Sequence, residues 1–131
     1  MSLNMPDHSE YVVFAEQLAN YSRSMLLTAS KKVPKITIKS DSSYVTETDK
    51  AVEQKLRKEI QNKFPDHGII GEEFEDVNRN SDFVWILDPI DGTAAFVAGI
   101  PVYGTLIALA WKGMPFIGVI DHPLTDERWV G

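Results

Sequence analysis

The sequence predicts an α+β domain: two N-terminal helices packed on a mostly antiparallel β-sheet. Three observations predict it. Apolar residues recur at helical intervals over residues 9–30 and again over 46–64. Beyond Gly68 the pattern changes to short apolar runs bounded by turn residues. Later runs are joined by hairpin-length links such as Lys112-Gly113-Met114-Pro115, and helices followed by hairpin-linked strands are the α+β order.

Asp7 and Glu10 have the spacing of a capping box. Tyr11, Phe14, Leu18, Tyr21 and Met25 follow on one face, so the first helix runs from Ser9 to Ser30. Lys31 and Lys32 suit its negative end, and Pro34 prevents continuation. Ile36 to Lys39 alternates as a short strand, and Lys39-Ser40-Asp41-Ser42-Ser43 reads as a loop. Thr46 or Thr48 caps a second helix, on which Val52, Leu56, Ile60 and Phe64 share a face until Pro65-Asp66-His67-Gly68 stops it. Ile69-Ile70 is a short strand leading into Gly71-Glu72-Glu73, and Glu75 to Asp82 is a polar loop. Phe83 to Leu87 is a buried strand, Gly92 to Val97 a short helix, and Val102 to Trp111 a long strand. Lys112 to Pro115 turns the chain into a strand over Phe116 to Ile120. Asp121-His122-Pro123 makes a corner before a last strand, Glu127 to Val130.

The 131 residues suit one domain, and residues 1–8 read as a disordered or tag-derived N-terminus ahead of it. A net charge of −6 argues against nucleic acid as the partner. The absence of cysteine excludes a thiolate nucleophile or a disulfide framework, and fits a cytoplasmic setting. No apolar run has the length of a membrane span.

Chemistry concentrates in Trp85-Ile86-Leu87-Asp88-Pro89-Ile90-Asp91-Gly92-Thr93. An apolar strand that delivers two carboxylates into a tight turn needs a cation to meet them, because unpaired buried carboxylates are strongly penalised. Hard oxygen donors suit Mg²⁺, which completes its shell with water and substrate phosphate. Asp49, Glu72, Asp88, Asp91 and Thr93 all lie in or beside turns that can converge. Asp88 could bridge two ions, with the Ile90 carbonyl as a further ligand. Thr93 could hold the attacking water, and the N–H groups from Gly92 onward could hold phosphate. The competing reading is a solvated Asp-Gly turn, with the acids free in water. His8, His67 and His122 lack ligand spacing, and Trp85, Trp111 and Trp129 read as packing residues. Lys39 reads as a solvated lysine or one lying near the ions, and Arg128 as a partner of Glu127 or another acid.

Gly71-Glu72-Glu73 followed by Trp85 to Thr93 resembles the paired signature of the inositol monophosphatase family, and Lys39 to Asp49 is similar to its first segment. The resemblance implies the N-terminal half of the αβαβα sandwich of the inositol monophosphatase and fructose-1,6-bisphosphatase superfamily. It implies Mg²⁺-dependent hydrolysis of a small phosphorylated alcohol. Glu72, Asp88 and the Ile90 carbonyl would bind the activating metal, and Asp88 and Asp91 the second. A third, weaker ion would lean on Glu72. Thr93, paired with Asp49 and helped by Glu72, would orient and deprotonate water. Gly92 and Thr93 would contact the substrate phosphate, and the protein would be a homo-oligomer. Phe96 to Pro101, Gly104 to Leu109 and Gly118 to Pro123 resemble the histidinol-phosphatase branch. Tyr44, where Pro is common, and Ala94 depart from the pattern without removing a ligand. The resemblance further implies that the C-terminal domain, whose Trp-Asp motif completes the second metal site, is absent here. The half-chain would then be a weak enzyme, or a non-catalytic metal-binding or protein-interaction fragment.

Overall fold

The computed structural model describes residues 5–33, 36–40 and 44–131. The expectations for residues 1–4, for Pro34 and for the loop at 41–43 lie outside these residues.

Helix α1 (Ser9–Ala29) buries Phe14, Ala15, Leu18, Ala19, Ser22 and Leu26. This stripe differs from the expected one: Tyr21 is exposed and instead lies under the Lys55 ammonium, 4.5 Å from the ring centroid. Successive members of the buried row are four residues apart (14, 18, 22, 26), and such a row drifts around the helix away from position 21. The capping box also fails to form. Asp7 Oδ1 accepts the Ser9 N–H at 2.8 Å, and His8, the N-cap residue, makes no side-chain cap bond; its ring stacks on Phe116.

The ribbon of β1 (Ile36–Ile38) and β2 (Tyr44–Thr46) leads into α2 (Glu47–Lys63). Of the two candidate caps the structure uses Thr46, in a full capping box with Asp49. Val52, Leu56 and Ile60 are buried as expected. A second row on α2, Asp49, Glu53 and Arg57, is buried beside them.

The main sheet has the order β3 (Gly68–Gly71), β4 (Phe83–Asp91), β5 (Gly104–Trp111), β6 (Met114–His122) and β7 (Glu127–Val130). Only the β3–β4 pair is parallel within it. α1 packs on β5 and β6 and α2 on β4, covering Trp85, Leu87, Ile107, Leu109 and Val119. β3, β4 and β6 extend further than the sequence suggests, whereas β1 stops at Ile38 and β5 begins at Gly104, each short of its expected range. β4 continues past Leu87 to Asp91, so Asp88 is an in-strand residue rather than a strand end. β6 takes in Met114, Pro115, Asp121 and His122, leaving Lys112-Gly113 as the turn. Cross-strand partners make these extensions possible, which is information that periodicity within one segment lacks.

His67 is a packing residue. Its ring stacks on Phe64 and Phe83, and its Nδ1 accepts the Trp85 Nε1–H at 3.0 Å. Burial lowers its pKa from 6.5, against the opposing charges of Asp66 and Glu10. The folded chain therefore takes up this proton less readily than the unfolded chain. The stability contributed by the neutral ring is complete above about pH 6.5 and is lost as pH falls through the lower folded value. Urea midpoints at pH 7.5 and 5.5 should drop more for the native chain than for His67→Gln.

Candidate active site

The site is built around a β-bulge. Asp88 pairs with Leu106 and Asp91 with Gly104, so Pro89 and Ile90 together oppose the single residue Thr105. Proline has no N–H for the ladder, and its carbonyl is taken by the Thr105 hydroxyl at 2.8 Å. Having donated there, Thr105 Oγ1 accepts from the buried Ser22 hydroxyl on α1. The bulge is thereby tied to the first helix. Gly92 then adopts φ +87°, a left-handed conformation that suits glycine. From it starts α3 (Thr93–Ala98), which begins and ends one residue from the expected short helix.

Thr93 Oγ1 lies 3.1 Å from Asp49 Oδ1 and 3.1 Å from the Ile90 carbonyl, so its single proton serves either acceptor. Asp49 is buried, and its other oxygen, Oδ2, accepts the Thr46 N–H at 2.8 Å and the Thr46 hydroxyl. One carboxylate thus caps its own helix and holds Thr93 across 44 residues of sequence.

The parallel pairing of Gly71, the last residue of β3, with Leu87 brings Glu72, one residue past the strand, to the side of Asp88 on β4. Asp88 is half-buried, and its pKa rises to about 6, through burial first and then through the charges of Glu72, Asp91, Asp49 and Glu73. Glu72 and Asp91 are exposed, whereas Glu73 is bound to Lys39 Nζ at 2.9 Å. Burial works to lower the Lys39 pKa, but Glu73, Glu72 and Asp49 raise it overall. Lys39 therefore stands beside the acids rather than free in solvent.

The donors are all hard oxygens, and like charge accumulates around Asp88 without an equal counter-charge. A divalent cation such as Mg²⁺ fits that chemistry. Among the described residues, no three acidic or histidine side chains close on one point. A cleft of about 550 Å³ between the C-terminal end of α1 and the N-terminal end of α2, lined by Met25, Ala29, Lys32 and Thr48, contains none of these groups.

The model of the inositol monophosphatase family matches residues 7–131. The chain belongs to that family. It is 41% identical over 123 residues to the bifunctional phosphatase IMPL2 of Arabidopsis thaliana, covering 92% of this chain and 36% of that protein. To the histidinol-phosphatase of Mycobacterium tuberculosis it is 42% identical over 95 residues, or 72% of this chain and 36% of the relative. The crystal structure of the extragenic suppressor protein suhB from Bartonella henselae superposes with a TM-score of 0.89 at 29% identity. That match covers 94% of this chain and 49% of the other. The chain thus spans about a third of these curated family relatives and about half of this solved structure. The fold is the N-terminal half of the family's sandwich, as the sequence predicts.

Sequence reasoning missed four residues. Ser22 and Thr105 hold the bulge, and Glu53 and Arg57 hold the loop that carries Glu72. The Glu53–Arg57 spacing of four on a helix was a visible signal for an ion pair. Nothing local distinguishes Ser22 or Thr105 from other hydroxyls.

Proposed function

We propose that this chain supplies the catalytic acids of a Mg²⁺-dependent phosphomonoesterase acting on a small phosphorylated alcohol, histidinol phosphate or an inositol monophosphate. The Thr93–Asp49 contact at 3.1 Å, beside the acid-crowded Asp88, carries this reading. Glu72, Asp88 and the Ile90 carbonyl would hold one ion, and Asp88 and Asp91 a second. Bound there, Mg²⁺ would supply Lewis acidity toward phosphate oxygens and toward water.

The residues act as follows. Thr93 donates its hydroxyl proton to Asp49 and so offers its oxygen lone pairs to a water hydrogen. Asp49, helped by Glu72, takes up by way of Thr93 the proton that this water loses as its oxygen bonds to phosphorus. The N–H groups of Gly92 and Thr93, at the start of α3, contact the phosphate oxygens. The P–O bond to the alcohol breaks, the alkoxide leaves with a proton from solvent, and inorganic phosphate carries the new oxygen; no phosphoenzyme forms. The names of the phosphatase relatives support this reaction class.

No described helix is long and apolar enough to cross a membrane. We read the protein as a cytoplasmic homo-oligomer with no nucleic-acid or membrane partner. Ile86, Ile120 and Trp129, between 41% and 52% exposed, line the sheet face opposite the helices. That apolar face favours an interaction module as the second reading.

The test is Mg²⁺-dependent phosphate release from histidinol phosphate and inositol 1-phosphate by the native chain and Asp49→Asn. The expected result is release that falls more than ~100-fold in the variant. A folded chain releasing phosphate from neither substrate would overturn autonomous hydrolysis and leave the interaction module.

A further inference from the structure

Glu53 is fully buried in the middle of α2, and Arg57, one turn on, is nearly so. Buried ions at this depth are costly unless every donor and acceptor is matched. Here they are matched by each other and by the chain that follows Glu72. Glu53 Oε2 accepts from Arg57 Nε at 2.8 Å and from the Phe74 N–H at 3.2 Å, and Oε1 accepts the Glu73 N–H at 3.0 Å. Arg57 donates Nη1 to the Glu75 carbonyl at 2.8 Å and Nη2 to the Phe74 carbonyl at 3.0 Å. The pair therefore grips the backbone of residues 73–75 from both its donor and acceptor sides.

Gly71 closes the grip from the other end. A β-carbon there would fall 2.5 Å from Glu53 Oε2 and 2.7 Å from Oε1. Glu53 cannot swing aside without releasing the bonds just described, so only glycine lets the carboxylate in. Glu72 lies between Gly71 and Glu73, and both of these neighbours are fixed against Glu53. On the same row of α2, one turn earlier, Asp49 holds Thr93. One helix therefore sets the position of Glu72 and of the Thr93–Asp49 pair together.

We infer that Glu53 and Arg57 are positioning residues that hold the Glu72 carboxylate at a set place beside Asp88, through the backbone rather than by touching an ion. This rests on the reading of Glu72 as a metal ligand. Ligands held by a fixed outer layer bind their metal more tightly than the same ligands on a loose loop.

The test measures Mn²⁺ binding to the full chain by electron paramagnetic resonance, with Mn²⁺ standing for Mg²⁺, at a temperature where each variant is folded. Glu53→Gln removes the charge, and Arg57→Lys keeps the charge but loses the fork to the two carbonyls. Val119→Ala, a core truncation on β6, serves as a control for lost stability alone. Weakening of Mn²⁺ binding by ~10–100-fold is expected in both clamp variants and not in the control. Should Glu53→Gln fail to fold, Arg57→Lys decides alone. Lowered melting temperatures with native Mn²⁺ affinity would overturn the inference and leave a purely structural ion pair. Absence of Mn²⁺ binding by the native chain would overturn the metal site itself, and the clamp's role with it, and is distinct from loss in the variants only.

Discussion

Asp88→Asn is expected to stabilise the metal-free chain while abolishing its response to Mg²⁺. Burial and the charges of Glu72, Asp91, Asp49 and Glu73 raise the Asp88 pKa from 3.8 to about 6, so the fold prefers the neutral acid. Because the folded pKa lies above the unfolded one, the ionised carboxylate destabilises the native state. That penalty is absent below about pH 3.8, grows between 3.8 and about 6, and is complete above. Discounted for the half of the group that reaches solvent, it amounts to about 1–2 kcal/mol at pH 7.5. Asparagine occupies the same space without the charge and should recover that amount at pH 7.5 but nothing at pH 3.5. Mg²⁺ should raise the melting temperature of the native chain by mass action, more strongly at pH 7.5 than at pH 5, where a proton competes for Asp88. In the variant the rise should vanish, and affinity should fall more than ~100-fold. Thermal melts with EDTA and with Mg²⁺ at these pH values check both halves. A variant less stable than the native chain without metal, or one that Mg²⁺ still stabilises, would sink the assignment.

Asp121→Ala should be the more damaging change to the fold. Asp121, 1% exposed on β6, takes Arg23 of α1 in a bidentate pair, with Nη2 to Oδ1 at 2.8 Å and Nε to Oδ2 at 3.0 Å. Arg128 of β7 adds Nε to Oδ1 at 2.8 Å. The same Arg128 reaches Asn20 and Glu16 on α1, so the acids it pairs with are Asp121 and Glu16, the second of the two expected cases. Removing Asp121 takes the buried carboxylate from two partly buried guanidinium groups and leaves them the exposed Asp126, Glu16 and Asn20, at a cost of about 3 kcal/mol. Asp126 also pairs with Arg23, yet it is 87% exposed. Asp126→Ala should therefore cost less than about 1 kcal/mol. Urea denaturation of the two variants separates the cases, and equal losses would refute the distinction. Because α1 also carries Ser22 against Thr105, loosening it should be felt at the Pro89 bulge as well.

The parts of the site legible in the sequence share one property: their chemistry is local. Asp88, Asp91, Gly92 and Thr93 lie within six residues, and a strand that runs into acids and a glycine turn announces itself. Asp49 was legible as an acid beside a turn and as the end of the segment from Lys39, whereas its box with Thr46 appears only in the structure. Residues whose role depends on what packs against them were not legible. Glu53 and Arg57 look like an exposed helical ion pair, and only the arrival of residues 73–75 makes them buried and shared. Tyr21 has the spacing of a core residue, but the drift of the α1 stripe leaves it outside.

By itself, the sequence determined the order of helices and strands apart from β2, the acid-bearing turn after Trp85 and the glycine at which that turn can form, because these follow from side-chain periodicity and backbone sterics over a few residues. Only the tertiary structure decided that β3 runs parallel to β4 with Glu72 beside Asp88, that Thr93 meets Asp49, and that Asp121 joins α1 to β6 and β7. Glu72 and Asp88 are 16 positions apart, Asp49 and Thr93 44, and Arg23 and Asp121 98. These contacts form only when burial of a common core brings their elements together and leaves each buried charge no partner but the others.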